Sequence, residues 1–142
     1  MLASIVAAMT LAATPAADDT VICLENTTEE TMVAFVAEKY LVGAKKVRQV
    51  ALDAGKKSCL RYDAARTVTV TPLLLSEAER RIVAGDRVNP WRKGSCGRIG
   101  RGEAVFLNLN GNDGEKGACA PAEDRADGDI RALVAEATPL RP

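Results

Sequence analysis

The sequence predicts a mainly β domain, a small β-sandwich or barrel with one or two short helices, closed by two disulfides. Three observations predict it. Short apolar or alternating runs recur between clusters of turn residues. Four cysteines, Cys23, Cys59, Cys96 and Cys119, occur in a chain without histidine. The length of 142 residues leaves room for one domain.

The first element is a candidate leader. Leu2 to Ala13 is an uncharged apolar run, shorter than the roughly 18 residues that mark a membrane span. Thr14-Pro15-Ala16 then supplies the small side chains that signal peptidase accepts. Residues 1–16 therefore read as a signal peptide cleaved after Ala16. The positive charge expected ahead of the run is missing apart from the terminal amine, as it would be if translation began upstream. A core helix would carry a polar face, whereas no charged residue precedes Asp18. Export predicts a periplasmic or secreted protein, with no membrane span after processing.

Residues 17–126 are expected to form the disulfide-bridged β domain, and 127–142 a short helix and tail. Val21 to Leu24 reads as a strand ending at Asn26-Thr27-Thr28. Met32 to Tyr40 fits two patterns. Thr27 with Glu30 makes a capping box, and Val33, Val36, Ala37 and Tyr40 share a helical face. The same residues fit one arm of a hairpin turning at Val42-Gly43-Ala44, and the strands on either side tip the balance to strand. Val47 to Leu52 and Cys59 to Tyr62 read as strands joined by a polar turn around Gly55-Lys56-Lys57. Thr67 to Thr71 alternates with a period of two and puts Val68 and Val70 on one face. Pro72, which cannot donate to a ladder, marks an edge or a strand end.

Ser76 and Glu79 form a second capping box, and Gly85 a stop, which predicts a helix over Glu77 to Ala84. Residues 85–102 read as a long loop. Val105, Leu107 and Leu109 alternate as in a strand, and Asn110-Gly111 favours a tight turn after it. Ile130, Leu133, Val134 and Ala137 have helical spacing.

Zinc sites need closely spaced cysteine pairs or histidines, so the four cysteines read as two disulfides and no metal is expected. Four cysteines allow three pairings. In extended chain Cys23 points away from Ile22 and Leu24, and Cys59 away from Leu60, so the two have matching parity for neighbouring strands. Lys93-Gly94-Ser95-Cys96 and Lys116-Gly117-Ala118-Cys119 lie in similar glycine-rich loops on either side of one strand. The expected pairs are Cys23 with Cys59 and Cys96 with Cys119.

Lysine plus arginine and aspartate plus glutamate number 19 each. That balance lacks the global positive field of nucleic-acid binders, so no nucleic-acid partner is expected. The charge is segregated instead. Both ends are acidic, while Arg80 to Arg101 holds seven bases against the single acid Asp86. Within the loop 86–101, Trp91, Arg92, Lys93, Arg98 and Arg101 combine the side chains most enriched in binding hot spots with a disulfide that lowers the cost of ordering the loop.

Signals for chemistry are weak. Without histidine the usual base of serine and cysteine hydrolases is missing, and Ser58, Ser76 and Ser95 have no S-x-x-K partner. Glu25, Asp63 and Glu103 are carboxylates that no pattern brings together. Asn108, Asn110, Asn112, Asp113, Gly114 and Glu115 lack the spacing of a calcium loop and read as a polar hairpin end. Gly97, Gly100 and Gly102 lack the strand and helix of a phosphate cradle. Asn26-Thr27-Thr28 fits a glycosylation sequon. No enzyme activity and no cofactor are expected. The expected role is that of an exported binding module whose basic loop holds an acidic protein or an envelope polyanion. The alternatives are an inhibitor of a secreted hydrolase and a structural component of an envelope assembly docking through the helix from Ile130.

Overall fold

The computed structural model describes residues 19–40, 45–62, 66–86, 96–122 and 126–136. The proposed leader and the hairpin tip at Val42 to Ala44 lie outside them, as do Trp91, Arg92 and Lys93. Eight strands are present: β1 (Thr20–Asn26), β2 (Met32–Tyr40), β3 (Lys45–Leu52), β4 (Lys57–Tyr62), β5 (Arg66–Leu74), β6 (Arg98–Ile99), β7 (Ala104–Leu109) and β8 (Cys119–Pro121). Among the described residues two helices accompany them, α1 (Leu75–Val83) and α2 (Asp127–Glu136). Met32–Tyr40 is a strand, because Met32, Ala34 and Val36 face the core and it pairs on both sides, with β3 and with β5.

The strands form two four-stranded sheets, ordered β4-β1-β7-β8 (sheet I) and β3-β2-β5-β6 (sheet II). Ile22, Leu24, Leu60, Tyr62, Leu107 and Leu109 of sheet I pack on Met32, Ala34, Val36, Val50, Leu52, Val68, Val70 and Ile99 of sheet II. This is a β-sandwich, one core between two inner faces. The alternation that puts Ile22 and Leu24 inside turns Val21 and Cys23 outward. There they meet Cys59, Phe106 and Ile130, so α2 covers the back of sheet I as a third layer. Arg131 fixes the helix, donating from Nη1 to the Asp19 carbonyl at 2.8 Å and from Nη2 to the Gly102 carbonyl at 2.8 Å. The apolar side of α2 is thus turned toward its own sheet.

Both disulfides close as expected, Cys23 to Cys59 and Cys96 to Cys119. Cys23 and Cys59 stand directly opposite each other in the antiparallel β1–β4 pair. Two closed disulfides are the chemistry of an oxidising compartment. Among the described residues no helix is long and apolar enough to cross a membrane.

Several local expectations need correction. β3 and β4 belong to different sheets, so the turn at Gly55 crosses the sandwich. Gly55 takes φ +74°, a left-handed conformation that suits glycine, and donates its N–H to the Asn26 carbonyl at 2.9 Å. Pro72 lies within β5, opposite Ala34 of β2. It stands beyond the pairing of Val68 and Thr69 with β6, so on that side the strand is already an edge. β5 runs straight into α1, which starts at Leu75. Leu74 is the N-cap and Ser76 lies inside the first turn, without a capping bond. The junction is held instead by Leu75 N–H to the Thr31 carbonyl at 2.9 Å and Leu74 N–H to Asn112 Oδ1 at 2.7 Å. Asn110-Gly111 does not make a two-residue hairpin turn either. β7 and β8 are separated by the whole segment from Asn110 to Ala118.

On α1, Glu77 accepts from Arg80 Nε at 2.9 Å and Nη2 at 2.6 Å, and from Arg81 Nε at 3.0 Å. These bonds, from Arg80 first and Arg81 second, lower its carboxyl from 4.5 to about 2. The Arg80 guanidinium is raised in turn, chiefly by its hydrogen bond to Glu77. Because folding lowers the carboxyl's pKa, the network's stabilisation is complete above pH 4.5 and is lost as pH falls through about 2. In an NMR titration the Glu77 side-chain carbonyl should shift with a midpoint near pH 2. A midpoint at an ordinary glutamate value would refute the network.

Candidate functional site

Of the side chains singled out for chemistry, Asn26, Asn110 and Asn112 serve the fold. Asn26, the first residue of the sequon, is fully buried. Its Nδ2 donates to the carbonyls of Glu30 at 2.7 Å and Leu52 at 2.9 Å. Its Oδ1 accepts from Thr28 N–H at 2.9 Å and Thr28 Oγ at 2.7 Å. A glycan on that nitrogen would break this arrangement, so the sequon is a structural turn in the folded protein. The polar loop after β7 is built in the same way. Asn110 bonds to Thr27 Oγ and donates to the Gly117 carbonyl at 3.0 Å, and Asn112 holds the β5–α1 junction. Among the described residues no group of three or more potential metal ligands converges.

The two described carboxylates weighed for catalysis lie at opposite ends of sheet I. Glu25 is near the end of β1, directly across from Lys57. Glu103 precedes Ala104, which pairs with Val21 at the start of the same strand. Glu103 is level with Thr20, so five residues of strand put them about 17 Å apart. Asp63 lies outside the described residues.

A different grouping comes from strand register. Of the basic-loop residues, Arg98 lies in β6, exposed and opposite Thr69 of β5. Its Nη2 is 3.5 Å from Thr67 Oγ. Thr67 pairs with Lys39 of β2, and Lys39 pairs with Lys45 of β3. Lys39, Lys45, Thr67, Thr69 and Arg98 therefore share the outer face of sheet II, at the end away from α1. Both lysines are exposed and both threonines half-buried. The next positions on this face are Ala37, Val47, Phe35 and Gln49. The result is a sheet surface with cations on β3, β2 and β6 and the hydroxyls of β5 between those of β2 and β6, able to attract an anion and donate hydrogen bonds to it.

Arg101 does not join this group. It sits, exposed, in the turn between β6 and β7, where the next residue, Gly102, donates its N–H to Thr20 Oγ of sheet I at 2.9 Å. Lys39 and Lys45 carried no motif. Only their strand register, through the alternation of β2 and β3, places them on the same face as Arg98. At the other end of the sheet, α1 ends on the exposed side chains of Ile82 and Val83, a pair too small to mark an interface by itself.

No protein-family model matches the chain, and no curated protein or solved structure matches it.

Proposed function

We propose that this protein is an exported, non-catalytic binding domain that holds an anionic partner, an acidic protein face or an envelope polyanion, against the outer face of sheet II. One observation carries the reading: the register that sets Lys39 and Lys45 on one side of Thr67 and Thr69, and Arg98 on the other, on one face of the sheet. The chain is neutral overall, so this is a local concentration of charge. The loop with Trp91, Arg92 and Lys93 leads into β6 in sequence and supplies further cations to the same partner. The disulfides and the apolar leader of residues 1–16 support export.

The test uses dextran sulfate and polyglutamate as probes. The wild type should bind both, more weakly as salt rises, since exposed charges are screened beyond about 8 Å at physiological ionic strength. Replacing Lys39, Lys45 and Arg98 together by alanine should weaken binding about tenfold, at roughly 0.5 kcal/mol for each exposed contact. The melting temperature should stay within a few degrees of wild type. Arg92→Ala with Lys93→Ala should weaken binding further. Affinity unchanged in all five replacements combined would reject the reading.

A further inference from the structure

β3 is the outermost strand of sheet II, and among the described residues no strand lies beyond it. It is eight residues long and pairs with β2 along its whole length. The other edges of the two sheets are shorter: six residues in β4, three in β8 and two in β6. The far side of an edge strand presents a row of main-chain N–H and C=O groups, which is a template for one more strand.

The side chains of β3 specify what that strand would be. Its first half carries Lys45, Lys46 and Arg48, with both lysines exposed, against one acid on the neighbouring strand, the buried Glu38 of β2 opposite Lys46. In its second half, Val50 and Leu52 turn into the core while Ala51 stays exposed. Cations on an edge commonly serve to repel the edges of other sheets. The same charges admit a strand of opposite sign, since rejecting one class of partner and selecting another are a single difference in affinity. A second copy of β3 would bring six cations to one seam, which disfavours self-pairing. Every pair in sheet II is antiparallel. An added strand continuing that pattern would start beside Leu52 and end beside Lys45, so its complement is apolar first and acidic last.

We propose that β3 is a strand-addition site for an extended acidic peptide segment of a partner protein, bound antiparallel with its acidic half along Lys45, Lys46 and Arg48. This rests on the anionic-partner reading and gives it a binding mode, main-chain hydrogen bonds for affinity and charge for selection.

The experiment is NMR on the exported protein with a blocked octapeptide bearing valines in its first half and glutamates in its second. Saturable binding is expected, with amide exchange at alternate residues of β3 slowed about tenfold or more. Of two peptides N-methylated on alternate sets of residues, one should bind and the other fail. Lys45→Glu with Lys46→Glu should weaken binding about tenfold. Binding that leaves β3 exchange unchanged and tolerates both methylation patterns overturns strand addition but not the anionic surface. So does a peptide that fails to bind while dextran sulfate still binds through Lys39, Lys45 and Arg98. Slowed β3 exchange on raising protein concentration alone makes the occupant a second copy and overturns the proposal. If neither peptide nor dextran sulfate binds, both readings fall.

Discussion

Replacing Cys23 and Cys59 together by alanine is expected to destabilise the domain by about 5 kcal/mol, more than the same change at Cys96 and Cys119. In the chain-entropy account, cross-links spanning 36 and 23 residues restrict the unfolded chain by about 3.8 and 3.4 kcal/mol. That difference is too small to rank them. Packing ranks them instead. Cys23 and Cys59 are buried between the back of sheet I and α2, against Val21, Phe106 and Ile130. Losing two sulfurs there also leaves a void, which adds about 1–2 kcal/mol. Cys96 and Cys119 are half-buried at the edge of the core, where neighbours and water fill the space.

The same difference in access sets the order of reduction. Under mild reductant the Cys96–Cys119 bond should open first, and the Cys23–Cys59 bond only when α2 lifts away. Urea unfolding of the two double variants, with alkylation and mass spectrometry after graded reduction, measures both effects. Equal losses of stability would show that α2 contributes nothing to the pair it covers. So would prior opening of Cys23–Cys59.

Much of the fold could be read from alternation. Val68 and Val70 face the core because Thr67 to Thr71 alternates strictly, and the parity of Cys23 and Cys59 foretold their bond. The final helix followed from the spacing of Ile130 and Leu133. What escaped had no local signature. β6 has two residues and β8 three, too few for any period to show. β3 and β4 look like the arms of a hairpin, because a turn between sheets has the same composition as a turn within one. The capping box at Ser76 misled because a β5 that continues to Leu74 carries the chain into the helix before Ser76 is reached.

The candidate site was half legible. Arg98 stood out within a basic stretch of sequence. Lys39 and Lys45 are separated from it by more than fifty residues, and only the pairing of β2 with β3 and β5, and of β5 with β6, brings the three to one face. Register is decided by which face of each strand is buried, a property of the whole sandwich. Met32 to Tyr40 shows the same dependence, since its own residues suited a helix and its neighbours made it a strand.

The second large effect is expected at Asn26. Asn26→Ala should cost about 3 kcal/mol, far more than an exposed turn residue would, where changes stay within about 0.5 kcal/mol. Asn26 ends β1, and its side chain alone joins that strand of sheet I to the Leu52 carbonyl at the end of β3 in sheet II. It also holds the turn to β2 through Glu30 and Thr28. Its own main chain adds bonds to Lys56 and Gly55 at 2.9 Å each. Alanine keeps these main-chain bonds but takes the buried side-chain donor from the Leu52 carbonyl and removes the part-buried bonds to the Glu30 carbonyl and to Thr28 N–H and Oγ. Asn26→Asp sharpens the test. It retains an acceptor for Thr28 and replaces the donor with a carboxylate facing the Glu30 and Leu52 carbonyls. Burial and those oxygens must raise the folded-state pKa of that acid above its unfolded value. The aspartate variant should therefore be the less stable of the two at neutral pH and recover as pH falls through the raised pKa, when the protonated acid can donate one bond. Urea midpoints of both variants across pH 4 to 8 would show this. A loss below about 1 kcal/mol in Asn26→Ala would mean that the buried amide does not tie the two sheets together.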